Sequence, residues 1–402
     1  MKVLLLFQHL RYENERGGQR SREIAEFLAT QDAEVIALIP NVDPLTGKKA
    51  IPDLLLPWRY FRDASGYREY RFYVPATARK GLPGRLLYSA FCFFNVLLFL
   101  LVHGRKLDVI ITTTHPLLMA IAALPIKWLS ATKLVIEVRD IPLDVAIERK
   151  IVSQNGILSK CYRFFEGMLF KNADHVISYS QQMLELLSQR YRVSSSSIIP
   201  IGTGEIDFVV DKASLVNREV KICFFGTLGK VLSLSSMFDL AVILKNKGLA
   251  VRLDIYGDGE SRQALLDESC SLGLDVKFNG VVPKNMVVER CSEYDFAIYP
   301  VDGGEAISAS LGNKFFDYVT ARTPIVVIGK NSEAGRIVKE VNVGLVNEDL
   351  TRLADDIINV VDMAIDSKQS TSSFFKFENA ITMYSKEGLY KQFYRVVQSL
   401  VA

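Results

Sequence analysis

Two series of short apolar runs, separated by one polar stretch, limit the folds open to this chain. The first series reads "KVLLLF", "EVIALI", "DVIITT", "KLVIEV", "HVISYS" and "SIIPIG". Its runs are short and β-branched, and amphipathic or apolar helical stretches lie between most of them. That alternation is the pattern of a parallel sheet with helices on both faces. The pattern then restarts with "EVKICFFG", "AVRLDIYG", "DVKFNG", "YDFAIYP", "PIVVIG" and "VGLV". Between the two series lies "GTGEIDFVVDKASLVNRE", which is polar and contains glycine. The expected fold class is α/β, with two doubly wound, Rossmann-like domains over residues 1–205 and 206–375. Such domains face each other across a cleft, and open α/β sheets bind ligands at the carboxyl ends of their strands. The remaining residues, 376–402, read as a helix packing back on the N-terminal domain. The stretch from Pro40 to Gly84 fits the alternation poorly and reads as a long excursion near the cleft or a membrane.

Composition narrows the function classes. The 402 residues are 49% hydrophobic and 23% charged, enough apolar material for two or three packed domains. A net charge of +3 does not argue for a nucleic-acid partner, which usually leaves a strongly basic patch. Five cysteines stand at 92, 161, 223, 270 and 291 without any CxxC spacing. Neither a disulfide framework nor a zinc site is suggested, and a reducing compartment is the natural reading. The opening "MKVLLLFQHL" is too short an apolar run for a signal peptide. A cytoplasmic protein is expected.

One segment complicates this. Leu86 to Gly104, "LLYSAFCFFNVLLFLLVHG", is long enough to span a bilayer. Arg79, Lys80 and Arg85 precede it, and Arg105 and Lys106 follow. The strand "DVIITT" comes at once afterwards, and a spanning helix would part it from the first strand of its own sheet. The favoured reading is a helix partly inserted in one leaflet, with a plain core helix and a true span as the alternatives. Lys and Arg near an anionic surface each contribute ~1 kcal/mol.

The residues at strand ends carry the candidate chemistry. Gly17 and Gly18 open a helix after the first strand, where backbone amides could hold a phosphate or a sugar oxygen. His115 ends "TTTHP", and Arg139 and Asp140 end "EVRD". Polar side chains at strand carboxyl ends point toward a ligand cleft. In the second series, Gly226 and Gly229 bracket a turn that Lys230 follows, and lysine serves as a point charge for phosphate. The stretch "YGDGE" contains Gly257 and Gly259 and reads as a strand-to-helix turn. Finally, "GGEAISASLGNKFFDYVTARTPIVV" runs from a small-residue loop, Glu305 to Gly312, into a helix from Asn313 to about Ala321. A helix start with Lys314 would neutralise a pyrophosphate. Asp317, on the same face, could accept hydrogen bonds from a ribose diol.

Taken in order, "KNADHVISYSQQM", "YGDGESRQALLDESCSLGLDVKFNGVV" and "NKFFDYVTARTPIVV" resemble the retaining glycosyltransferases of family 4, with the GT-B fold. The resemblance runs from about Lys2 to Val361. It is nearest to bacterial members that build surface polysaccharides, such as O-antigen or capsule, on a polyprenyl lipid. It implies a UDP-sugar donor, with a hexose or N-acetylhexosamine, on the C-terminal domain. It implies a polyprenyl-linked glycan acceptor on the N-terminal domain, transfer with retention, and work at the cytoplasmic face of the inner membrane. No metal or other cofactor is implied, since lysine and a helix start take that charge. The catalytic set it implies is His115, Arg139, Asp140, Lys230 and Lys314. Donor contacts would come from Gly226, Thr227, Gly229, Gly257, Gly259, Val282, Glu305, Ser310, Leu311, Gly312, Asn313 and Asp317. Acceptor contacts would come from Gly17, Gly18 and Arg22. Two positions depart from the family pattern. Ala309 stands where the first of two spaced glutamates is usual, with Asp317 at the second, and Thr227 replaces an arginine. A nucleotide-sugar epimerase of the same fold and a non-catalytic scaffold are the alternative readings.

Overall fold

The computed structural model describes residues 1–10, 19–42, 49–51, 55–75, 81–206, 208–210, 212–229, 234–301, 303–329 and 331–401. At 62–64, 81 and 82 only the backbone is described. The expected sites Gly17, Gly18 and Lys230 lie outside the described residues, as do Arg79 and Lys80. The chain divides into two units. One comprises Met1–Tyr179, Met183–Ile199 and Tyr390–Ala402, and the other Ser180–Gln182 and Pro200–Leu389.

The first unit is built on β1 (Lys2–Leu6), β2 (Glu34–Pro40), β3 (Trp58–Ala64), β4 (Tyr67–Phe72), β5 (Val109–Thr113), β6 (Lys133–Val138), β7 (His175–Ser178) and β8 (Ser196–Ile198). They form one sheet in the order β3-β4-β2-β1-β5-β6-β7-β8. All pairings are parallel except β3 with β4. Leu5 pairs with Ala37 on one side and Ile111 on the other. Residues Val3 to Phe7 are fully buried, as an apolar strand in the middle of a sheet must be. The excursion expected between Pro40 and Gly84 contains a hairpin instead. Ser65 and Gly66 turn it with φ of 45° and 85°, and β4 extends the sheet in parallel beside β2.

The long apolar segment is a helix, Gly81–His103, closed by a tight turn at Gly104–Lys106. Tyr88, Cys92, Asn95, Val96, Phe99 and Leu100 form its buried stripe, at spacings of three and four. One face thus packs within the unit that holds β5. The opposite face leaves Leu87, Phe94, Leu98, Leu101 and Val102 exposed.

The second unit is built on β9 (Glu219–Phe225), β10 (Ala250–Tyr256), β11 (Asp275–Gly280), β12 (Phe296–Pro300), β13 (Ile325–Ile328) and β14 (Gly344–Asn347). All six are parallel, in the order β11-β10-β9-β12-β13-β14. Apolar clusters flank the sheet. One contains Phe224, Met237, Phe238, Phe296 and Ile357, and the other Phe315, Phe316, Tyr318, Val327 and Ile337.

Two boundaries differ from the sequence expectation. The division between units falls at Ile199/Pro200, because Thr203 is already tied into the second unit through hydrogen bonds to the Tyr384 carbonyl. The tail is two helices, Phe377–Met383 and Lys386–Val401, broken where Tyr384 and Ser385 meet that linker. Only the part from Tyr390 onward belongs to the first unit. There Tyr390 Oη donates to Glu23 at 2.5 Å and Tyr394 Oη to the Gln31 carbonyl at 3.2 Å.

Candidate functional site

In the second unit the strand order reverses between β9 and β12, and a groove opens at the carboxyl ends of such a pair. The loops leaving β9 and β10 are knitted together there. The Gly226 amide donates to the Tyr256 carbonyl (2.9 Å), Leu228 to Asp258 (3.0 Å) and Ser261 to Leu228 (2.9 Å). This packing needs two glycines. Gly257 has φ +145°, and a Cβ on it would lie 1.7 Å from the Gly226 oxygen. A Cβ on Gly259 would lie 2.3 Å from the Leu228 oxygen. Their amides are also engaged, Gly257 with the Gly280 carbonyl and Gly259 with Asp258 Oδ1. Both glycines are expected donor contacts, and the structure shows that they also let the two loops pack together. Thr227 is exposed on the same turn, and Gly229 is half-buried.

The small-residue loop expected at Glu305 to Gly312 begins as a one-turn helix, Glu305–Ala309. Ala306, Ile307 and Ala309 are buried in it. Glu305 is exposed at its start, and the Ala309 carbonyl accepts from Ser180 Oγ at 2.6 Å. Ser310 Oγ donates back to the Ala306 carbonyl, and Leu311 is buried in the cluster against which Val282 packs. Gly312 then caps the helix Asn313–Thr320 in an extended conformation, its amide donating to Tyr299 Oη at 3.0 Å. No side chain caps this helix start. The amides of Asn313 and Lys314 have no partner among the described residues, as expected at an uncapped first turn.

Lys314 turns inward from that turn. Its amino group lies 4.6 Å from the centre of the Phe224 ring and 4.9 Å from that of Tyr299. It is half-buried, beside the backbone of Gly226. Among the described residues it makes no hydrogen bond or ion pair. Burial without a counter-charge pushes its pKa down to about 7. Asp317 does not share this position. It pairs with Lys284, at 2.5 Å, on the turn that follows β11. The arrangement could seat an anion: it combines a helix start, two amides without partners among the described residues and a lysine set against aromatic faces rather than carboxylates.

In the first unit the ends of β5 and β6 bring His115 and Asp140 within electrostatic reach. Both residues are exposed to water, so the surrounding protein encloses them only in part. Enclosure lowers the His115 pKa, Asp140 opposes that, and Arg85 reinforces it. Enclosure raises the Asp140 carboxyl, opposed by His115 and Arg139. Arg139 is drawn away into a different group. Its Nε and Nη2 donate to Glu137 Oε2 at 2.8 and 2.6 Å, and its Nη1 to Ser21 Oγ at 2.9 Å. Its guanidinium also lies 4.9 Å from the Phe7 ring centre. Arg20 holds the other oxygen of Glu137 at 2.9 Å and stacks over Tyr179 at 4.7 Å. Burial works to raise the Glu137 carboxyl, but Arg139 and Arg20 outweigh it and hold it below the usual range. Arg139 is therefore the half-exposed arm of an Arg–Glu–Arg group whose Glu137 and Arg20 are buried. Arg22 sits on the same helix, Gln19–Ala29, and faces Glu26 one turn on at 3.7 Å.

Arg20, Phe224, Tyr299 and Lys284 were not singled out by sequence. Arg20 stands two residues after the Gly17-Gly18 pair, the only local hint. The others reach the site from strands or turns far along the chain. Among the described residues no three His, Cys, Asp or Glu side chains gather in one place.

Two α/β sheets, the second parallel and the first parallel but for its edge strand β3, each with its strand order reversed beside its first strand, define a pair of Rossmann-like domains. This is the architecture of the GT-B glycosyltransferases, and known proteins place the chain among them. Residues 17–204 match the family described as "Glycosyl transferase 4-like domain", and residues 219–363 match "Glycosyl transferases group 1". The chain belongs to the GT-B glycosyltransferases. The probable glycosyltransferase WbjE of Pseudomonas aeruginosa is 19% identical over 291 residues, which is 68% of this chain and 70% of WbjE. Sucrose-phosphate synthase from Thermosynechococcus elongatus superposes with a TM-score of 0.70 at 14% identity, over 100% of this chain and 99% of that one. WaaG, a glycosyltransferase involved in lipopolysaccharide biosynthesis, superposes at 0.63 and 12% identity, over 100% and 99%.

Proposed function

We propose that this glycosyltransferase moves a hexose or N-acetylhexosamine from a UDP-sugar to a lipid-linked glycan, with retention of configuration. The work would belong to surface-polysaccharide synthesis at the cytoplasmic face of the inner membrane. The observation that carries the donor half is Lys314. A lysine without a counter-charge, at an uncapped helix start, matches the charge of a diphosphate. In transfer that charge grows on the departing nucleoside diphosphate, and a preformed cation and amides stabilise it most there. Lys230, five residues after the end of β9 in sequence, is the second cation assigned to it. Asp317 would take the ribose, exchanging its bond to Lys284 for one to a diol. Glu305 is the exposed carboxylate near the seat and would contact the sugar.

On the acceptor side, His115 and Asp140 are assigned to the acceptor hydroxyl. Arg139 would act through Glu137 as a positioning residue. The acidity of the His115–Asp140 pair is shared, so the proton on the acceptor hydroxyl would be met by the pair rather than by either group alone. The long helix with its exposed apolar face supports docking on a membrane that holds the acceptor lipid. WbjE and WaaG, named for glycosyl transfer and lipopolysaccharide work, support the same assignment.

A thermal-shift screen of nucleotide sugars tests the donor, since a ligand of the native state raises the melting temperature by mass action. A shift with UDP-sugars, followed by transfer onto membrane extracts with the anomeric configuration read by NMR, is the expected result. No nucleoside diphosphate binding and no transfer would reject the enzyme reading and favour the scaffold.

A further inference from the structure

The apolar face of the helix Gly81–His103 does not stand alone. This helix packs against the short helix Leu124–Leu129, which in turn packs against the helix Ile157–Asn172. Each of the three leaves large apolar side chains in water on the side away from its buried stripe. Phe94 is 66% exposed on the first, and Trp128 and Leu129 are 58% and 67% exposed on the second. On the third, Ile157 and Phe164 are 82% and 68% exposed, with Leu158 beside them. The spacing Ile157–Cys161–Phe164 is one stripe of a helix. Adjacent helices of one layer that each bury one side present their other sides together. An apolar surface on this scale marks an interaction site rather than ordinary scatter.

The charges say which partner fits. Across the three helices the one carboxylate is Glu166, and it is buried. Arg85, Lys160 and Lys171 are exposed along the layer. At its end, Arg105, Lys106 and Lys133 line a pocket of about 460 Å³ with Ser130, Thr132 and one carboxylate, Asp108, which accepts from the Lys2 amide. None of those three cations makes a side-chain hydrogen bond or ion pair among the described residues. Trp128 is suited to a boundary between water and hydrocarbon: its ring is exposed while its Nε1 donates to Asn172 Oδ1 at 2.8 Å.

We infer that this three-helix layer, and not the long helix alone, lies on an anionic bilayer. Its apolar side chains enter the acyl boundary, and the pocket of Arg105, Lys106 and Lys133 receives a lipid phosphate. The inference rests on the membrane docking proposed above and extends it to two further helices.

Cys161 gives a direct test, because it is exposed on the third helix. Cys270 is the other exposed thiol, and Cys92, Cys223 and Cys291 are buried. In the full chain carrying Cys270→Ser, Cys161 is labelled with an environment-sensitive dye. The protein is then mixed with phosphatidylcholine vesicles with or without about 30% phosphatidylglycerol. The expected result is co-sedimentation with the anionic vesicles together with a blue shift of the dye. Ile157→Glu/Phe164→Glu, two exposed changes, should weaken vesicle binding about tenfold or more while UDP binding is kept. Lys106→Glu/Lys133→Glu should remove the preference for anionic vesicles. Binding with an unshifted dye and an indifferent Ile157→Glu/Phe164→Glu variant would overturn the inference and leave docking by the long helix intact. Equal binding to neutral vesicles would overturn the phosphate pocket. No vesicle binding, with UDP binding intact, would overturn the inference and the membrane reading together, and a concentration-dependent dimer would then assign the layer to a second copy of this chain.

Discussion

The Lys314 amino group lies 4.6 Å from the centre of the Phe224 ring, on a strand some ninety residues earlier in the chain. Aromatic faces attract a cation but do not replace its hydration, so this lysine is held without being neutralised. Its pKa of about 7 follows from that.

Ligand binding should therefore be linked to a proton. A diphosphate would restore the charged form, so UDP should bind with proton uptake above about pH 7, and its affinity should fall as pH rises. Calorimetry in buffers of different ionisation enthalpy measures the uptake. Lys314→Met should remove it and weaken binding by about 1–3 kcal/mol, the range for a lost charged hydrogen bond. Equal uptake by the variant would refute the role.

The same lysine should weaken the ligand-free fold. Its folded pKa, about 7, is below its ordinary 10.5, so the unfolded chain binds more protons between those values. The stability of the native protein should rise with pH through that window, because the penalty is full below it and vanishes above it. Lys314→Met should be more stable than the native protein near pH 7, by on the order of 1–3 kcal/mol, and should lack this rise. Urea unfolding at the two ends of the window is the measurement.

Glu137 strengthens the fold where Lys314 weakens it, although stability rises with pH through the window of each. Its carboxyl, lowered by Arg139 and Arg20, contributes stability above its ordinary value of 4.5 and loses it as pH falls through the lower folded value. Glu137→Gln should leave the buried Arg20 and the half-buried Arg139 without a counter-charge, at a cost of about 3 kcal/mol. Acid titration of both proteins should show that the variant has lost this acid-side step.

Gly257 and Gly248 make a matched pair. Both have positive φ, but a Cβ at Gly248 would meet open space, whereas at Gly257 it would collide with the Gly226 oxygen. Gly248→Ala should cost about 1–2 kcal/mol, the price of the left-handed backbone alone. Gly257→Ala should cost more than that and should also impair UDP binding, because the loop beside Lys314 must move. Equal melting temperatures for the two variants would contradict the loop packing described.

Legibility followed sequence distance. Every one of the twelve apolar runs became a strand, because a short β-branched run announces itself locally even where, as in β8, β11 and β14, the strand is only partly buried. The β3–β4 hairpin was overlooked because its residues are tyrosine- and arginine-rich, although Ser65-Gly66 is a fair turn signal. The helix at Asn313 was readable, since it depends on local pattern. Which side chain meets which was not. Phe224 and Tyr299 reach Lys314 from two strands, Lys284 takes Asp317 across 33 residues, and Arg20 meets Glu137 across 117. No periodicity encodes such pairings.

The connection from Tyr390 back to Glu23 has a consequence for how the protein is made. A ribosome releases the helix Gln19–Ala29 early, but the residues that cover it, Tyr390 and Tyr394, emerge hundreds of positions later. Domains generally fold as units during synthesis. Here the second unit is fully translated while the first still lacks its last segment. The unit that starts to fold first is the one completed last, and until then Glu23 and the Gln31 carbonyl face water or a chaperone.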